Sequence, residues 1–116
     1  MIKEVSSKLT YKDKEYKLVF NLNVMEKIQD AYQTLDNWGS LTDGKESEVN
    51  IKALVFGITE MMNEAIDIDN DEKGTNEPFV THKQVGRILT EIGIKKAAEN
   101  MNNLVVESTK DDSKNE

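Results

Sequence analysis

The chain opens on alternation. Val5, Ser7, Leu9 and Tyr11 share one face at period two, and Tyr16, Leu18 and Phe20 form a second alternating set. Between them lies the charged run Lys12-Asp13-Lys14-Glu15, in which Asp13 suits left-handed geometry. The pattern predicts a β-hairpin over residues 3–20, although with no glycine in the run a two-residue type I′ turn is not strongly favoured. At Asn21 the period changes from two to 3.6. Asn23 with Glu26 resembles a capping box, and Val24, Ile28, Ala31, Tyr32 and Leu35 recur at helical spacing until the pattern fades near Asp36. Gly39 and Gly44, set among polar residues, mark a loop.

The strongest periodic signal follows. After Ser47, an N-cap candidate, come Ile51, Leu54, Val55, Ile58, Met61, Met62, Ala65 and Ile66, which predict a central helix of about 20 residues. Residues 67–78 are polar and acidic and read as a long mobile loop. Thr81 and Gln84 then form a capping box flanked by Val80 and Val85 at staple positions. Val85, Ile88, Leu89 and Ile92 face one way. Gly93 fits a Schellman ending, with Leu89 and Ile94 as its apolar pair. A further helix is predicted from about Lys95 to Val105, with Ala97, Ala98, Met101, Leu104 and Val105 inward. The expected fold is therefore mainly α, about four helices with a short N-terminal β-hairpin. Residues 1–106 form a single helical domain and residues 107–116 a flexible polar C-terminal tail. Leu18, Phe20, Ile28, Leu54, Val55, Ile58, Ile88 and Leu89 are the expected core.

Composition narrows the function classes. With 116 residues the chain is one domain, long enough to bury a core without staples. It has no cysteine, which removes disulfides, thiolate metal sites and cysteine nucleophiles and fits a reducing cytoplasm. No stretch has the roughly 20 apolar residues of a membrane span, and Met1 to Thr10 lacks the apolar core of a signal peptide. The formal net charge of −7, with no basic block longer than Lys95-Lys96, disfavours nucleic acid.

Candidate chemistry is sparse. Asp67, Asp69 and Asp71 suggest a calcium loop, but one register places Glu72 and Pro78 at the essential Gly and Glu positions. The other places Lys73 and Val80 at ligand positions. An acidic connector is the simpler reading, and no metal site is expected. His82, the lone histidine, has no pattern partner for a metal site or triad. The glycines lack nucleotide-binding spacing, so no cofactor and no catalytic residue are expected. Trp38 either closes the core or, if exposed, anchors a partner. Met61 and Met62 widen the apolar stripe of the central helix, since neighbours on a helix stand about 100° apart. Trp38, Met61 and Met62 are thus the candidate partner-binding residues, in a groove beside that helix where adaptable methionine side chains suit varied clients.

The segment Glu15-Tyr-Lys-Leu-Val-Phe-Asn-Leu-Asn-Val-Met-Glu-Lys-Ile-Gln-Asp-Ala-Tyr32 resembles the opening of tail assembly chaperones of long-tailed bacteriophages and prophages. These proteins typically begin with a hairpin whose last strand ends in Phe-Asp/Asn-Leu-Asn, followed by a helix of the Leu-Glu-x-Ile-Gln-Glu kind. The long apolar helix, the acidic segment and Thr81-His-Lys-Gln-Val-Gly-Arg-Ile-Leu89 continue a similar order. The likeness covers about residues 9–105 in arrangement and is specific over residues 15–32. This chain departs in its longer acidic segment and in Val24-Met25 where the family often has Ala-Leu. The resemblance implies a non-enzymatic protein of the bacterial cytoplasm that coats the tape measure protein, keeps it soluble and helps recruit tail tube subunits. Self-association of the uncovered groove is expected. A tail or head-tail structural protein, or an interaction adaptor outside phages with a weakly cation-binding acidic loop, are the alternatives.

Overall fold

A computed structural model describes residues 5–45 and 47–110. Strands β1 (Val5–Tyr11) and β2 (Lys14–Phe20) pair antiparallel, with Tyr11 opposite Lys14 and Leu9 opposite Tyr16. The turn is the two-residue Lys12-Asp13, with φ of 50° and 66°. Both central residues are left-handed, as a type I′ turn requires, so strand register prevails over the local preference for glycine. One face carries Leu9, Leu18 and Phe20 into the core with Tyr11 and Tyr16 half-buried beside them. The expected hairpin residues before Val5 lie outside the described residues.

Helix α1 (Leu22–Tyr32) begins two residues earlier than a cap at Asn23 would place it. Asn21 is its N-cap, accepting from Val24 N at 3.2 Å. Asn23 and Asn21 instead both donate their side-chain amides to Glu64 of the central helix, at 3.0 and 2.8 Å. Val24 and Ile28 face inward, whereas Ala31 is exposed. The chain then breaks at Gln33, where φ is 75°, and restarts. Thr34 caps α2 (Leu35–Thr42), accepting from Asn37 N at 2.9 Å. Here the expected loop is a helix, so there are five helices among the described residues and not four.

The central helix α3 (Ile51–Lys73) is capped by Asn50, not Ser47, and it is longer than expected. Residues 67–73 are helical, which corrects the reading of 67–78 as a loop; the helix ends at the left-handed Gly74. Only residues 75–81 form an extended strap back across α3. Asn63 holds this strap as a neighbouring strand would. Its Nδ2 donates to Val80 O at 3.0 Å and its Oδ1 accepts from Val80 N at 2.8 Å. Asn70 does the same for Glu77, at 3.1 and 2.9 Å.

Helix α4 (His82–Ile92) starts with the expected capping box between Thr81 and Gln84. Gly93 ends it, but with φ 104° and ψ 137° it is not the left-handed residue of a Schellman ending; it leads straight into α5 (Ile94–Thr109), and Ile94 stands exposed. Helix α5 also outruns its expected end at Val105. Residues 107–109 continue the helix, with Ser108 buried; residues 111–116 of the expected tail lie outside the described residues. All eight expected core residues, from Leu18 to Leu89, are buried. Strand β2, α1, α2 and α4 pack around α3, and α5 lies against β1.

Candidate partner-binding groove

Trp38, Met61 and Met62 are core residues. All three have at most 1% of their surface exposed. Trp38 leaves the middle of α2, enters beneath the start of α3 and donates its indole N–H to Ala53 O at 3.0 Å. That end of the indole therefore keeps a hydrogen bond inside the core. Gly57, one turn on, makes room for it: a Cβ there would overlap the Trp38 ring and stand 3.2 Å from the Met101 sulfur. The widened stripe at Met61-Met62 is taken up by the molecule itself. Elements pack on several sides of α3, so two adjacent apolar residues both find intramolecular partners. Met61 and Met62, buried on α3, open onto no groove.

An open groove lies beside Trp38, away from Met61 and Met62. Helix α2, residues 43–45 and 47–49 and the start of α3 form one wall, and α5 forms the other, around about 1160 Å³. On α5 the lining positions run from Ile94 through Ala98, Asn102 and Val106 to Thr109, one face sustained along the helix. The opposite face of α5, with Ala97, Met101, Leu104 and Ser108, is in the core. Three of the large exposed apolar side chains open onto this groove: Ile51, Ile94 and Val106, at 49%, 44% and 60% exposure. Asn102 of α5 bridges the walls by donating to Thr42 O of α2 at 3.2 Å, and within α5 it also donates to Ala98 O at 2.9 Å. Trp38 lies in the floor of this groove with its side chain buried.

The helical spacing puts Ile51 in the inward stripe and gives Val106 no place in it. A usable signal was present in the doublet Val105-Val106, where the argument made for Met61-Met62 applies. Helix α5 has core on one side alone, so Val105 is buried and Val106 faces out.

A smaller hollow of about 220 Å³ lies between α1 and α3, bordered by Glu60, Glu64, Asp67, Lys27 and the exposed Phe79. The acidic residues 67–71 sit on helical backbone, which holds the three Asp residues in no calcium-loop geometry; Asp69 pairs with Lys17 of β2 at 3.3 Å. Among the described residues no group of three or more His, Asp or Glu is disposed to hold a metal ion. His82 is exposed in the first turn of α4. No described helix is long and apolar enough to cross a membrane. The chain matches no family model, no curated protein and no solved structure.

Proposed function

We propose that this protein works by binding other proteins and not by catalysis, as a tail assembly chaperone of the phage or prophage kind acting in the bacterial cytoplasm. Its clients are then the tape measure protein, which it keeps soluble, and the tail tube subunits it helps recruit. The observation that carries the reading is the groove along α5, onto which Ile51, Ile94 and Val106 open on an otherwise strongly charged chain. Exposed aliphatic residues gathered in one concave, rigid-walled place favour a protein partner. The resemblance of residues 15–32 supplies the kind of partner, and the hairpin followed by a helix over those residues is compatible with it. A high negative charge helps keep a coated, aggregation-prone client in solution.

Co-expression with a tape measure protein is the test. The client is expected to stay in the soluble fraction and to elute with this chain on gel filtration. Equal solubility of the client with and without the chain, and no shared peak, contradicts the proposal. Purified tails separate the chaperone from a structural component, since a chaperone is absent from them.

A further inference from the structure

Resting on that protein-binding reading, we infer that the α5 groove takes a single amphipathic α-helix of about four turns whose apolar stripe is flanked by Lys or Arg. Three observations fix this occupant. The first is length. The lining positions of α5 span Ile94 to Thr109, which at ~1.5 Å per residue is ~24 Å of continuous wall, the length of a helix of about 16 residues. The second is relief. Ala98 and Gly39 are small where the walls approach the floor, and nothing stands within 4 Å of where a Gly39 Cβ would lie. Small residues let a second helix come to the ~8–10 Å axial separation of packed helices. Ile51, Ile94 and Val106 then stand ready to meet its apolar stripe. The third is charge. Asp36, Asp43, Glu48 and Glu99 border the groove, against Lys45 and Lys95. This border and the net charge of −7 favour a basic occupant and disfavour an acidic one, so a second copy of this chain, the occupant that self-association would require, is disfavoured here. The hydrogen bond from Asn102 of α5 to Thr42 O of α2 ties the two walls together before binding, so less ordering is required of the groove itself.

The probe is a synthetic Leu/Ala/Lys peptide of about 16 residues with one leucine stripe. Its controls are the same peptide with every Lys replaced by Glu, and a Lys peptide scrambled to abolish the stripe. Titration against the full chain is followed by calorimetry and by methyl chemical shifts. The patterned Lys peptide is expected to shift Ile51, Ile94 and Val106, and to bind at least about tenfold more tightly at low salt than either control. Val106→Glu lowers its affinity about tenfold or more, as loss of an apolar anchor at an interface does. Ile51→Glu is the second variant should Val106→Glu perturb folding. Phe79→Glu, on the smaller hollow, changes nothing, and joint Asp43→Lys and Glu99→Lys substitution reverses the preference between Lys and Glu peptides. Equal binding of all three peptides, no binding, or affinity indifferent to both groove variants overturns the inference. So does a dimer in sedimentation that excludes the peptide and dissociates in Val106→Glu, because a second copy is then the occupant. The two readings fail separately. Peptide binding without a solubilised client leaves the groove assignment and removes the chaperone function. A client solubilised by both groove variants leaves the function and removes the groove.

Discussion

Gly57 and Trp38 show what one missing carbon does. Glycine in a helix interior costs about 0.5–1 kcal/mol relative to alanine, yet here alanine would meet the indole. Gly57→Ala should therefore destabilise the fold by about 1–3 kcal/mol, the range for overpacking, read as a lower midpoint in urea. Trp38→Phe removes the hydrogen bond to Ala53 O and leaves a space on one side of the ring. A loss of about 1–3 kcal/mol is expected from the same denaturation curve. Met61→Asp, which would be a surface change if the sequence reading of that residue held, instead places a carboxylate in a fully buried position. It should abolish cooperative unfolding, whereas Val106→Glu, more than half exposed, should shift the melting temperature little. Which residues are apolar and periodic is legible in the sequence. Whether a doublet such as Met61-Met62 or Val105-Val106 serves core or surface is not, because that depends on how many neighbours surround the helix.

At the scale of elements, the end of α3 departs most from the sequence pattern. Asp67, Asp69, Asn70 and Asp71 are weak helix formers, and acids near a helix C-terminus oppose its dipole. Tertiary contacts offset this. Lys17 reaches Asp69, though the pair is partly exposed and contributes at most about 1 kcal/mol. Asn70 binds both Thr75 Oγ1 and the Glu77 backbone, and Gly74 closes the helix in left-handed geometry. Hydrogen exchange tests the outcome: backbone amides of residues 67–73 should be protected, where a loop would exchange at once. Asn63→Ala removes both bonds to Val80, so its amide should exchange faster, with a stability loss of about 1–2 kcal/mol. The strap and its two asparagines were invisible in the sequence because they pair residues 7 to 17 positions apart through side-chain amides that carry no periodicity. The capping box at Thr81 was visible because both partners lie within one turn. Helix α2 was missed because Gly39 and Gly44 suggested a loop, although Leu35 and Trp38 keep helical spacing.

At the scale of the molecule, the order hairpin then helices was readable from the change of period at Asn21, and so was the core. Leu54→Ala or Ile58→Ala should each cost about 2–5 kcal/mol, since both are fully buried on the helix around which the rest packs. The groove was not readable. It exists because α2 and α5, distant in sequence, are pinned at one separation by Asn102, a relation between elements and not a pattern within either. Three aliphatic side chains are left open there, and the account turns on whether they hold a client. The direct measurement is co-expression of a tape measure protein with the chain carrying both Ile94→Glu and Val106→Glu, beside the unaltered chain. The doubly substituted chain is expected to keep its melting temperature and no longer hold the client in the soluble fraction. A client kept equally soluble by that folded variant would contradict it.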